Sequence, residues 1–406
     1  MALDPEPETF QPVIEDGITS PFGVTVIPYE PDFDGDDGDD QMEEEEIQVD
    51  VMRTVDPQRA YVRIPTKPVR SLDHHGQGWG CVYFGYVVHR VPGGGGSDAA
   101  SIPTFQAPTP DTVQYVAIKR LRKAVVQRYL KVGGHENPYV ELGRMQQYGD
   151  NIHVLGCLEA LQDETFLYII TPYCEIGSLV DCIPWQQRGM ILEDQARMYF
   201  EQLLENVRYL QERGICHRDL SPDNCMVYRG RLVLTDLAMS FRVPQPREGE
   251  NGQGPVMVKP RGWYGKRSYL PPEVWIGWPF DPYACDLWSS ILVLFNLLTG
   301  EFLYEEPTPE NIKFKYFVLA RGLSRTPMNE QLMEMLMTEM NNVREKERDT
   351  IDRTIRKILQ LSPEVRELLE NVFKMTPHER WTLVQVEECT WIQQYRQQFQ
   401  QAQQPL

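Results

Sequence analysis

The stretch GICHRDLSPDNCMVYRGRLVLTDLAMS, residues 214–240, sets Asp219, Asn224 and Asp236 in order within one short segment. Two carboxylates and an amide are oxygen donors of the kind that hard Mg²⁺ prefers. Their spacing is that of a phosphoryl-transfer site, where one carboxylate accepts or orients the proton of an attacking hydroxyl. Upstream, VAIK puts Lys119 at the end of a run whose alternation would turn Ala117 and Lys119 to the same face of a strand. Taken singly these residues say little, since a lone lysine at a strand end is most often a surface charge. The ordered set is informative.

The elements that must position them change character along the chain. YVRIPTKPV, WGCVYFGYVVHRV, VQYVAIKRL, IHVLGCLEA and TFLYIITPY read as strands, being β-branched, aromatic and partly alternating. A helix is expected around 137–148. The stretch PGGGGSDAASIPTFQAPTP at 92–110 has the composition of a flexible connection. Because strands flank it, it reads as an insertion in a sheet. From about residue 178 the apolar period moves toward 3.6. EDQARMYFEQLLENVRYLQERG carries an apolar stripe and ends at Gly214 as a C-cap. DLWSSILVLFNLLTG, MNEQLMEMLMTEMNNVREKER and LSPEVRELLENVF continue as helices. The fold class is α+β: a strand-rich N-terminal third and a helical remainder.

VAIK, HRDLSPDN, TDLA and PPE, in this order and at workable spacings, resemble the signature set of the eukaryotic protein kinases. The resemblance covers roughly residues 60–396. It implies a bilobal kinase-like domain over 56–396, with an N-lobe at about 56–172 and a C-lobe at about 175–396. Residues 1–55 and 397–406 are left as tails. It further implies ATP and Mg²⁺ as cofactors and a protein substrate. In the family, Lys119 would meet the α- and β-phosphates. Its partner would be Glu141, since Met145 and Tyr148 follow it along one helical face, rather than Glu136. Asp219 would be the catalytic-loop aspartate, and Asn224 and Asp236 the metal ligands. Val82, Ala117 and Met226 fall where the family sandwiches adenine, Thr171 at the gatekeeper, and Tyr173 and Cys174 at the hinge. Glu273 and Arg380 match a buried ion pair that closes the activation segment, and Asp286 the anchor of the catalytic loop. His217 reads as a packing residue.

Three departures stand against that pattern. The phosphate-covering loop GQGWGCV supplies Gly76, Gly78 and Gly80 but is one residue short of the family motif. Asp236 is followed by Leu237 and Ala238 where the family has Phe and Gly, which bears on backbone switching more than on chemistry. Most telling, Ser221 stands where Ser/Thr kinases place a lysine. Lys266, in GKRSYLPPE, stands where they place a threonine. Cation and hydroxyl have exchanged places, and Lys266 is expected to supply the charge that Ser221 lacks. The reading is therefore a Ser/Thr protein kinase. The alternative is a pseudokinase, a nucleotide-binding or scaffolding module with the kinase shape. A small-molecule kinase fits less well because PPE and Arg380 match a protein-kinase activation segment. Arg218, beside Asp219, reads as a cation awaiting an activation-loop phosphate, with Ser240, Tyr264, Ser268 and Tyr269 as candidate acceptors.

The net charge of −19 is concentrated: residues 1–50 hold 17 Asp and Glu and no Lys or Arg. Such a segment cannot bury enough apolar surface to order itself, so it reads as a solvated leader or a docking segment for a basic partner. The nearly neutral remainder argues against nucleic-acid binding. Asp223 suggests a basic residue in the substrate. The stretch 328–358, longer than the family needs, is a candidate partner surface. Eight scattered cysteines without Cys-x-x-Cys pairs fit a reducing compartment. The acidic start lacks the apolar core of a secretory signal, and the apolar run 291–298 is short for a bilayer, so no membrane is expected. Together these place the protein inside the cell, in cytoplasm, nucleus or both.

Overall fold

The computed structural model describes residues 15–16, 18–20, 50–53, 56, 58–72, 78–90, 105–106, 108, 112–149, 151–183, 191–244, 256–260, 264–308, 310–315, 317, 345–394 and 396. They fall into two compact units, Gln11–Gly149 with Gly156–Tyr173, and Asp150–Leu155 with Cys174–Leu406. The first is a β-rich N-terminal unit and the second a helical C-terminal unit, the α+β organisation that the strand-then-helix order predicts.

The N-terminal unit is one sheet. Its strands are β1 (Glu15–Asp16), β2 (Ile18–Ser20), β3 (Asp50–Arg53), β4 (Arg59–Ser71), β5 (Gly80–Arg90), β6 (Phe105–Gln106), β7 (Tyr115–Arg122), β8 (Glu159–Gln162) and β9 (Phe166–Pro172). The order is β1-β8-β9-β7-β5-β4-β3-β2, with β6 added beside β5. β1 pairs with β8 in parallel and β2 with β3 antiparallel, so residues 15–20 meet both ends of the sheet. Residues 1–55, read from composition as a disordered tail, thus contribute three strands among the described residues. The fragments ITS and DVMR hold enough β-branched and apolar character to pair once an edge is offered. The rest of that segment lies outside the described residues. The 92–110 insertion likewise returns as β6, where His89 pairs with Gln106. Most of IHVLGCLEA is not strand; only Glu159–Gln162 joins the sheet from that region.

Strand register divides the two faces. Val82 pairs with Lys119 and Phe84 with Ala117, while Ala117 in turn pairs with Thr171. These side chains therefore share one face. The opposite face buries Met52, Tyr61, Tyr83, Val87, Val116, Ile118, Leu161, Tyr168 and Ile170 as a single core. Two helices follow β7. α1 (Lys123–Lys131) starts without a side-chain cap directly off the strand. α2 (Pro138–Tyr148) begins with Asn137 accepting from the Tyr139 amide and Pro138 at its first position.

In the C-terminal unit, α3 (Leu179–Cys182) and α4 (Glu193–Glu212) precede β10 (Ile215–Cys216), β11 (Cys225–Tyr228), β12 (Arg231–Leu234) and β13 (Phe241–Arg242). α4 ends one residue before the expected cap, at Arg213, and Gly214 takes the left-handed conformation beyond it. α5 (Pro272–Trp275) and α6 (Pro282–Thr299) follow. α6 is buried through most of its length. By length and composition α6 could cross a membrane; with 89% of it buried inside the unit it reads as a core helix. The 328–358 stretch is described only from Glu345, where a helix runs to Gln360 and is followed by Pro363–Val372.

Glu273 and Arg380 tie the start of α5 to the region after Pro363–Val372. Two hydrogen bonds of 2.6 and 2.8 Å join guanidinium to carboxylate, and the guanidinium lies 4.3 Å from the Trp288 ring centroid. The Arg380 side chain is 3% exposed and that of Glu273 6%. Arg380→Met, which strands the Glu273 charge, is expected to lower the stability of this unit by about 3–5 kcal/mol, read as a shifted denaturant midpoint.

Candidate active site

In the N-terminal unit Lys119 and Glu141 meet at 2.6 Å (Nζ to Oε2), with the carboxylate buried. Glu141 sits in the first turn of α2, and Met145 and Tyr148 follow it, all on buried positions of the helix. Lys119 and Ala117 lie on the sheet face that also carries Val82 and Thr171. Gly76 lies outside the described residues. Gly78 has φ +61, a conformation that L side chains rarely adopt. Gly80 is pressed on β7, and a Cβ there would stand 2.2 Å from the Arg120 carbonyl oxygen. Between them Trp79 is buried and meets Tyr129 of α1 edge-on, ring centroids 4.6 Å apart. Sequence reasoning found neither α1 nor this contact, because a helix that leaves a strand with no linker gives no turn signal. At the end of β9 the Tyr173 amide donates to the Tyr115 carbonyl, and the chain passes from one unit to the other between Tyr173 and Cys174.

In the C-terminal unit Cys174 is buried in a cluster with Leu155 and Val233, against which Met226 packs. Burial pushes its thiol up to about 12, which leaves it protonated and unreactive at neutral pH.

The catalytic loop follows β10 and is pinned from beneath. Asp286, fully inside α6, accepts the His217 and Arg218 amides at 2.7 and 2.9 Å. His217 is completely buried and bridges: one ring nitrogen faces the Thr235 carbonyl at 3.1 Å and the other accepts from the Asp219 amide. It therefore links Asp219 to the residue preceding Asp236, more than the packing role the sequence suggests.

Asp219 is buried and held on both carboxylate oxygens. Asn224 Nδ2 donates to Oδ2 at 2.9 Å, and the Lys266 amide donates to Oδ1 at 3.0 Å. Burial pushes its carboxyl above the ordinary carboxylate range; nearby Asp236 adds to the rise, and Lys266 and His217 oppose it. Asn224 Nδ2 also donates to the Asp219 carbonyl at 2.7 Å. Asp236 has a left-handed backbone (φ +60), and the 3₁₀ turn Leu237–Met239 follows. Leu237 is wholly buried, so it fills apolar space where the related motif has an aromatic ring. Among the described residues no group of three or more His, Cys, Asp and Glu could hold a metal. Asn224 and Asp236 are the side chains here that could offer oxygen ligands to Mg²⁺, an ion that keeps waters and phosphate oxygens in its shell.

The exchanged pair is in contact. Lys266 Nζ donates to Ser221 Oγ at 2.6 Å and lies 3.3 Å from Asp223 Oδ2. Its ammonium is thus delivered to the catalytic loop from the residue that precedes the 3₁₀ turn Arg267–Tyr269. Asp223 is already opposite a cation, so the basic-substrate preference inferred from it requires competition with Lys266.

Comparison with known proteins bears on the family. A protein kinase domain family model matches residues 94–392. The serine/threonine-protein kinase PRR2 of Saccharomyces cerevisiae is 28% identical over 248 residues, 60% of this chain and 34% of its own length. Sperm motility kinase 2B of Mus musculus is 27% identical over 242 residues, 58% of this chain and 45% of its own. CBL-interacting serine/threonine-protein kinase 9 of Arabidopsis thaliana is 34% identical over 156 residues, 38% of this chain and 33% of its own. The chain spans between a third and under half of the length of these relatives. With well over half of its length matched, the chain belongs to the protein kinase family.

Proposed function

We propose that this chain is an active protein kinase that transfers the γ-phosphoryl group of Mg²⁺-bound ATP to Ser/Thr hydroxyls of protein substrates. The observation that carries the reading is the 2.6 Å contact from Lys266 Nζ to Ser221 Oγ. The loss most damaging to catalysis, the missing loop lysine, is met by a cation from the activation segment. The family relatives named above support the Ser/Thr class.

Within the N-terminal unit, Glu141 orients Lys119 toward phosphate oxygens. The backbone around Gly78 and Gly80, where no side chain intervenes, offers amides to the same group. Val82 and Ala117 offer apolar surface to the base, and the backbone at Tyr173 and Cys174 its hydrogen bonds. Within the C-terminal unit, Met226 offers further apolar surface. Asn224 and Asp236 would hold Mg²⁺. Bound ATP supplies the phosphoryl group, and Mg²⁺ neutralises its charge. Asp219 orients the substrate hydroxyl and takes its proton, and Lys266 offsets negative charge on the group in transit.

Transfer of label from γ-labelled ATP to the chain itself and to a generic Ser/Thr substrate tests the reading, with and without Mg²⁺. Nucleotide binding without transfer would instead support the pseudokinase alternative, which rests on the shortened glycine loop and on Leu237 and Ala238. The Trp79–Tyr129 contact gives a second check. An aromatic pair contributes about 0.5–1.5 kcal/mol, so Tyr129→Ala is expected to weaken nucleotide binding about two- to tenfold, measured by titration of a fluorescent nucleotide. Eight unpaired thiols support a reducing interior, cytoplasm or nucleus, as the site of action.

A further inference from the structure

Arg218 does not stand ready for a phosphate. Its guanidinium carbon lies 3.9 Å from the Tyr264 ring centroid and 4.3 Å from that of Phe241. Its Nε donates to the Met239 carbonyl at 2.6 Å. The residue has φ +66, so its unusual backbone turn is what directs the side chain there. Of the four hydroxyls that could have accepted an activating phosphate, Ser240, Tyr264 and Tyr269 are buried. Ser240 Oγ donates to the Leu237 carbonyl and Tyr269 to Asn296 Oδ1. Ser268 alone is partly exposed, and it donates to the Glu305 carbonyl.

Three consecutive residues then run along the catalytic loop. Tyr264 lies on Arg218. Gly265 has φ +78 and donates to Met239 Sδ, and a Cβ on it would stand 2.5 Å from the Arg218 carbonyl oxygen. Lys266 reaches Asp219, Ser221 and Asp223 as described. Each step is set by the one before it: the aromatic seat fixes the segment, the glycine lets it approach, and the lysine arrives at the site.

We propose that Tyr264 is a positioning residue that locks the segment Tyr264–Lys266 onto the catalytic loop by seating on Arg218, holding Lys266 in place in the unphosphorylated chain. This rests on the proposed phosphoryl transfer only for its effect on rate; the locking itself is independent of it. A cation over an aromatic face is a modest attraction at an exposed site and a stronger one when desolvated, as here.

The test uses the full chain after phosphatase treatment. Hydrogen exchange of the peptide covering 264–270 is measured without nucleotide for the wild type, Tyr264→Phe, Tyr264→Ala and Arg218→Met. The wild type and Tyr264→Phe are expected to be protected, and the other two to exchange at least tenfold faster there with the unfolding midpoint of the C-terminal unit retained. Should Tyr264→Ala fail to fold, Arg218→Met decides, since it leaves the ring in place and removes the guanidinium together with its hydrogen bond to the Met239 carbonyl. In transfer assays Tyr264→Ala should lower kcat without raising KM for ATP, and in a Lys266→Met background it should lower kcat no further. Unchanged protection in both variants, loss of protection on phosphatase treatment of the wild type, or additive effects with Lys266→Met would each overturn the proposal. A wild type that transfers no phosphate would sink the proposed function and leave the exchange result to stand or fall alone.

Discussion

Asp219→Asn is expected to lower kcat by about 10²–10⁴-fold while leaving the chain folded, since a positioned acid–base group contributes on that order. The structure explains why so small a change should cost so much. Both oxygens of the carboxylate face donors, Asn224 Nδ2 and the Lys266 amide. An amide can accept from only one of them and must turn its own NH₂ toward the other. The substitution therefore removes the proton acceptor and disturbs the residue that carries the compensating ammonium in one step. Label transfer from γ-labelled ATP, with the thermal midpoint measured alongside, checks this. Transfer that survives in the mutant would mean that another group takes the proton, and the assignment of Asp219 would fall.

The second large effect is expected at Lys266. Lys266→Met keeps the length of the side chain and removes the cation, and kcat should fall by about 10²–10³-fold, the cost of losing one preorganised stabilising group. The structure also supplies a reciprocal experiment. Ser221 is fully buried and in contact with Lys266, so Ser221→Lys alone sets two ammonium groups together and should be damaging. In Ser221→Lys with Lys266→Thr the two roles are restored in exchanged positions. The double change should then recover most of the lost rate, with a coupling of about 1–3 kcal/mol between the positions. Strictly additive effects would show that the contact is geometric coincidence and that Lys266 serves only the surface.

How much of this was legible in the sequence depends on the range over which each contact acts. Glu141 was selected over Glu136 because Met145 and Tyr148 mark one face of the same helix and because Glu136 sits just before Asn137-Pro138, where a helix starts. Ser221 and Lys266 were paired because both depart from one motif set in complementary ways. The seat of Arg218 on Tyr264 and Phe241 has no such signature. Forty-six residues separate Arg218 from Tyr264, and nothing in the spacing links them. The strands within residues 1–55 were hidden for a different reason. Acidic composition argues correctly against independent folding, yet a three-residue fragment needs only an edge to pair with, and composition says nothing about edges. α1 was missed because it lacks a start signal: Arg122 is its N-cap and offers no side-chain hydrogen bond.

The pairing of β2 with β3 changes what the acidic run is. Residues 21–49 hold 11 Asp and Glu and no base, and they begin and end at neighbouring strands of one sheet. The described residues on either side of this acidic segment are held in paired strands. Trimming the chain from its N-terminus to remove the charge would therefore also strip β1, β2 and in the end β3 from the sheet. A loss of activity on such trimming would report on an unzipped sheet and tell nothing about the charge. Only an internal deletion that joins Ser20 to Asp50 through a short turn separates the two, leaving the strands paired and the anionic segment gone.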